Sequence, residues 1–89
     1  MSEDNMGTIE KRVSGIALSL IKAHREIESI STTESLTAAG LSSIDMVNFL
    51  LQIEEEFNVT IQSRAVNPTN FRSVESVAKL IEEIQDRAA

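Results

Sequence analysis

A chain of 89 residues has room for one small domain, and it cannot build both a sizeable core and a deep enclosed cleft, which argues against a pocketed enzyme. It holds no cysteine and a single histidine, His24, so disulfides and thiolate metal ligands are excluded, a zinc site would need an improbable set of carboxylates, and a reducing compartment suits it. The net charge is −6 and its excess is central: from Glu26 to Gln62 stand Glu26, Glu28, Glu34, Asp45, Glu54, Glu55 and Glu56 and no lysine or arginine, a field that repels nucleic acid and either steers basic partners or simply aids solubility.

The opening residues MSEDNMGTIEKR carry acids and lack a basic segment followed by an apolar one, so they do not read as a signal peptide. Residues 1–7 are expected to be a flexible N-terminus, followed by a single domain over residues 8–87. No apolar run approaches the roughly 18 residues of a membrane span, and the chain reads as a soluble cytoplasmic protein with no membrane partner. Three aromatics, none of them Trp or Tyr, and few β-branched runs argue against a sheet, so the predicted fold class is all-α. Ile9, Val13, Ile16, Ala17, Leu20 and Ile27 recur at helical spacing and predict a first helix from about Thr8, its N-cap, to Glu28, with Ile21 flanking the stripe. Gly15 lies inside this helix, at a cost of up to about 1 kcal/mol relative to alanine. The next segment, SISTTESLTAAGL (residues 29–41), is rich in Ser and Thr and ends near a Gly, and it reads as a long loop with Leu36 and Leu41 as its anchors. A loop of that length in a small domain is often functional.

The second helix opens in GLSSIDMV and runs to Phe57, with Asn58 as its C-terminal stop. In the connection VTIQSRAVNPTNFRS, the residues Val59, Ile61, Val66 and Phe71 are expected core anchors, and a short helical turn is expected after Pro68. Ser73 is a good N-cap for the last helix, whose apolar stripe is Val74, Val77, Ala78, Ile81 and Ile84, with Leu80 beside it. The predicted architecture is a small bundle of three main helices plus one short helix.

On the second helix, steps of about 100° per residue gather Met46, Phe49, Leu50, Ile53 and Phe57 into one sector, the core face. Ile44, Val47 and Leu51 gather on the opposite side, interleaved with Asn48, Glu54 and Glu55. An outer helix of a bundle needs one buried stripe, so the second has two explanations. Either the loop or the short helix folds over it, or it is a protein-binding patch with an apolar centre and a polar rim. Glu54 and Glu55 beside it favour the patch, since sealing them in unpaired is costly.

At the head of this helix, S-S-I-D has the spacing of a capping box, with Ser42 as N-cap and Asp45 as the acid three residues on. Either both serines merely cap, or Ser43 is left exposed at the first helical position, beside unpaired backbone N–H groups that favour a phosphodiester. A serine nucleophile needs a base and an orienting acid. His24 is the sole candidate base, and its position on the first helix gives it no reason to face Ser43; it reads as solvent-facing. The G-x-S-x-G elbow, a phosphate-cradling glycine loop and a Glu-x-x-His metal motif are all missing, and bases do not cluster with aromatics. No catalytic residue, metal or nucleic-acid partner is therefore assigned.

The segment Gly40-Leu41-Ser42-Ser43-Ile44-Asp45-Met46-Val47, with Ile53-Glu54-Glu55-Glu56-Phe57 after it, resembles the acyl carrier protein family. In that family a Gly-x-Asp-Ser-Leu motif opens the second helix, and its serine carries 4′-phosphopantetheine through a phosphodiester. The resemblance spans about residues 9–84 and places the modified serine at Ser43, with Gly40 on the motif glycine and Ile44 on the leucine. It implies that the chain is a monomeric carrier and no enzyme. A phosphopantetheinyl transferase would modify Ser43 from coenzyme A, and the arm's thiol would hold an acyl or aminoacyl group as a thioester. A loading ligase and downstream enzymes of fatty acid, polyketide or related biosynthesis would dock basic surfaces on Ile44, Val47 and Leu51, steered by Asp45, Glu54 and Glu55. Two positions depart from the pattern. Ser42 stands where the family has aspartate, and Gln62 stands where it often has proline. Only Ser43, not Ser42, puts an aliphatic residue after the serine and keeps the terminal phenylalanine in place. The competing reading is an unmodified helical adaptor that keeps the fold and its acidic face; a weak hydrolase is a third.

Overall fold

The computed structural model describes residues 5–88, which form a small helical bundle with no strand among them. Helix α1 spans Asn5–Lys22, a short α2 spans Leu36–Ala39, α3 spans Ser43–Phe57 and α4 spans Val74–Ala88; a single 3-10 turn lies at Ser63–Ala65. Helix α1 packs against both α3 and α4.

Helix α1 starts before Thr8, which is therefore a helical residue and not a cap; residues 1–4 of the expected flexible N-terminus lie outside the described residues. Its buried line is Ile9, Val13, Ala17 and Ile21, a strict four-residue repeat. Ile21, assigned by the pattern to the flank, is completely buried, whereas Ile16 and Leu20 are only half-buried. The helix also stops at Lys22 and not at Glu28. Three-residue hydrogen bonds from Ala23 N–H to Leu20 O (3.3 Å) and from His24 N–H to Ile21 O (3.1 Å) tighten the last turn and release the chain. Ile27 then packs on the core from the loop.

That loop is held at several points. Leu36 and Leu41 are buried, as expected, and Ile30 packs against the core. Leu36 N–H donates to Arg72 O and Glu75 N–H to Thr32 O, each at 2.8 Å, so the loop satisfies one of the otherwise unpaired donors at the head of α4. Within the loop lies α2, too short to show a period in the sequence; it is capped by the Ser35 side chain, which accepts from Ala38 N–H, and closed by Gly40 at φ 122°.

Helix α3 buries Phe49, Ile53 and Phe57, and Phe49 meets Phe71 edge-on at 6.3 Å. Asn58 adopts the left-handed conformation and ends the helix, as the sequence predicts. In the following connection Ile61 and Phe71 are buried and Val59 packs on the core, but Val66 is exposed. A 3-10 turn precedes Pro68, and the expected single turn follows it: Phe71 N–H donates to Asn67 O at 3.0 Å and the Asn67 side chain accepts from Asn70 N–H at 2.8 Å. The Asn67 and Asn70 side chains also donate to Arg64 O and Ala65 O and so join the two turns. Ser73 caps α4 as predicted, accepting from Ser76 N–H while Ser76 Oγ accepts from Ser73 N–H.

At the far end of α3, Arg12 of α1 pairs with Glu56 at 2.9 Å, donates to Glu56 O, and lies 4.3 Å from the Phe57 ring centre. On α1, a Cβ added to Gly15 would meet nothing within 4 Å. Gly15→Ala is therefore expected to stabilise the fold by about 0.5–1 kcal/mol, raising the thermal midpoint by a few degrees in a circular-dichroism melt.

Candidate functional site

The head of α3 carries a reciprocal capping box. Ser42 Oγ accepts from Asp45 N–H at 3.1 Å, and Asp45 Oδ2 accepts from Ser42 N–H at 3.1 Å. Ser42 thus spends its side chain on the helix. Ser43 is the first helical residue; it is exposed, and its hydroxyl has no hydrogen bond among the described residues. The backbone N–H groups of Ser43 and Ile44 have no intrahelical partner, so they leave partial positive charge beside that hydroxyl. A phosphodiester on Ser43 would lie beside these donors, where its negative charge is favoured.

Below Ser43 the apolar strip is uncovered: Ile44 is 76% exposed, Val47 59% and Leu51 57%. Neither the loop nor the 3-10 turn folds over it, which removes the structural explanation for the second stripe. The three acids around it differ. Glu55 is exposed; Glu54 is half-buried and its Oε2 accepts from Ile61 N–H at 2.8 Å, fastening the chain after α3; Asp45 is committed to the cap.

His24 does not simply face solvent. It lies just past the end of α1, and its Nε2 is 2.6 Å from Asp45 Oδ2. The Asp45 carboxyl is held below its ordinary value of 3.8, first by the Ser42 backbone N–H and then by the His24 side chain. An ionised carboxylate only accepts, so His24 Nε2 is the donor. No hydrogen bond joins His24 to either serine hydroxyl, so the His24, Asp45 and Ser43 side chains do not form a nucleophile-and-base relay. Next to it, Arg25 Nη1 donates to Ala39 O at 3.0 Å. Periodicity did not single out these two contacts; the one hint was a pair of bases immediately before the base-free stretch. Among the described residues no group of His, Asp and Glu is arranged to hold a metal, and no helix is long and apolar enough to cross a membrane.

Residues 11–82 match the family described as a phosphopantetheine attachment site. The chain is similar to aminoacyl carrier protein 1 of Bradyrhizobium diazoefficiens, 29% identical over 73 residues that cover 82% of this chain and 81% of that protein. It is 32% identical to the aminoacyl carrier protein of Agrobacterium fabrum over 60 residues, 67% of this chain and 72% of the relative. Its fold matches a chain in the crystal structure of Bradyrhizobium japonicum glycine:[carrier protein] ligase complexed with its cognate carrier protein and an analogue of glycyl adenylate, with a TM-score of 0.79, 28% identity, and coverage of 85% of this chain and 97% of that one. A chain in the complex of the same ligase with glycylated carrier protein matches with a TM-score of 0.68 and 34% identity, covering 86% and 99%.

A four-helix fold with an open serine at the head of its third helix and a match over most of its length define a carrier protein. The chain belongs to the acyl carrier protein family, whose covalent prosthetic group is 4′-phosphopantetheine.

Because the carboxyl of Asp45 is lowered in the fold, its contribution to stability is full above 3.8 and is lost as pH falls through the folded value. Asp45→Asn is therefore expected to melt below wild type at neutral pH, with the gap narrowing in melts taken at successively lower pH below 3.8.

Proposed function

We propose that the chain is an aminoacyl carrier protein whose 4′-phosphopantetheine is attached to Ser43. The observation that carries this is the division of labour between the two serines: Ser42 is bound into the cap, while Ser43 is exposed at the helix end, its hydroxyl without a hydrogen bond among the described residues. When attached, the group supplies a terminal thiol that holds the cargo as a thioester. The chain itself supplies no cysteine, so that thiol comes wholly from the arm. Its own residues present the arm and recognise partners; none is assigned to catalysis.

We take an amino acid as the cargo, in preference to a fatty acyl or polyketide chain. The matched relatives are aminoacyl carrier proteins, and the matched structures contain a glycine ligase. Phe49 and Ile53, which an internal acyl cavity would have to borrow, are completely buried in the core. An amino acid needs no such cavity. The partners on this reading are a phosphopantetheinyl transferase, a loading ligase and a downstream enzyme. They would dock on Ile44, Val47 and Leu51 with Glu55 at the centre of the acidic rim, while Asp45 and Glu54, whose carboxylates already bind the backbone, add to the field that steers basic surfaces. We take the chain to act as a monomer in the cytoplasm, where coenzyme A serves the transferase.

Incubation with coenzyme A and a broad-specificity transferase is expected to raise the intact mass of wild type by one phosphopantetheine and to leave Ser43→Ala unchanged. Partner binding that needs no arm, with no mass gain in wild type, would instead favour the unmodified adaptor. Val47→Glu, at an exposed position, is expected to keep wild-type stability while lowering kcat/KM for loading by a glycine ligase on the order of tenfold or more.

A further inference from the structure

The turn that follows α1 holds the serine motif from both sides. Upstream of Ser43, Arg25 Nη1 donates to Ala39 O at 3.0 Å, and a Cβ on Gly40 would lie 3.0 Å from Arg25 Cδ and Nη1 and 3.2 Å from Ile21 Cγ2. The arginine is therefore laid against bare backbone, at a residue whose φ of 122° favours glycine. Downstream, His24 Nε2 donates to the Asp45 carboxylate that caps the helix. Between these anchored points lie Leu41, buried from within, and Ser42, Ser43 and Ile44, all exposed.

We propose that His24 and Arg25 are positioning residues for Ser43, a clamp that fixes how its hydroxyl is presented to the transferase; this rests on Ser43 being the attachment site. In the transfer, Ser43 Oγ bonds to the pantetheine-side phosphorus of coenzyme A and the pyrophosphate bond breaks. Adenosine 3′,5′-bisphosphate leaves with that bond's electrons, and the hydroxyl proton passes to a base on the transferase. Such a displacement requires the attacking oxygen in line, and a misplacement of about 1 Å can cost on the order of a hundredfold in rate. Tying Ala39 O on one side of Ser43 and the Asp45 carboxylate on the other to two adjacent residues of the turn after α1 meets that requirement. A free loop would search for it at each encounter.

The test is the kcat and KM of the carrier with coenzyme A and a transferase. Five variants are compared with wild type: His24→Ala, Arg25→Ala, His24→Gln, Arg25→Lys and Arg12→Ala. The Gln and Lys variants each keep one donor. Arg12→Ala removes a comparable tie at the far end of α3 and separates presentation from general loosening of the bundle. The alanine variants at 24 and 25 are expected to lose about tenfold in kcat with KM changed by less than about twofold. His24→Gln and Arg25→Lys should recover most of it, and Arg12→Ala should keep the wild-type kcat. Wild-type kcat in both alanine variants, or an equal loss in Arg12→Ala, overturns the clamp. A wild-type chain that takes no arm, or an arm that survives Ser43→Ala, overturns the attachment reading itself and the clamp with it.

Discussion

The capping box at the head of α3 is the interaction on which the rest of the site depends. A helix end leaves its first N–H groups unpaired, and Ser42 and Asp45 satisfy two donors reciprocally: Asp45 N–H by the serine oxygen, and Ser42 N–H by the carboxylate. Because the box fixes where the helix begins, it fixes Ser43 as the first residue inside, with its side chain outside the cap. The rotation of α3 about its axis follows from burial of its apolar stripe: Phe49, Ile53 and Phe57 fall on the core and Ile44, Val47 and Leu51 fall on solvent.

Asp45 has more than one task in this arrangement. The family's motif has aspartate before the modified serine; here Ser42 does the capping, and Asp45, two residues after Ser43, is turned to the cap and to His24. The acid left open on the exposed strip is Glu55, since Glu54 holds Ile61. The negative field of the central stretch remains, because the carboxylates keep their charge whichever way they point, and the stretch from Glu26 to Gln62 holds no lysine or arginine.

Much of this was legible in the sequence because it rested on strong local signals. The amphipathic stripe of α4, the capping serines at 42 and 73, the left-handed stop at Asn58 and the exposed strip on α3 all follow from spacing and side-chain chemistry. What was not legible depended on tertiary contact. The end of α1 could not be read, because Ile27 sits at helical spacing yet packs from a loop. Likewise Val66 looks like a core anchor but stays exposed, and α2 has too few residues to show a period. His24 and Arg25 were invisible as site residues for the same reason: their partners, Asp45 and Ala39, lie across a loop whose path only the folded chain determines. The family resemblance pointed to Ser43, and the geometry explains why Ser43 is the open serine of the two.

The central claim is that the chain divides two adjacent serines between capping and attachment. Fragmentation mass spectrometry of the transferase-modified protein, localising the arm residue by residue, tests it most directly. The arm is predicted on Ser43 alone, in wild type and also in Ser42→Ala, which should be less stable by about 1 kcal/mol for loss of the cap. An arm found on Ser42, or shared between the two serines in wild type, would contradict the account.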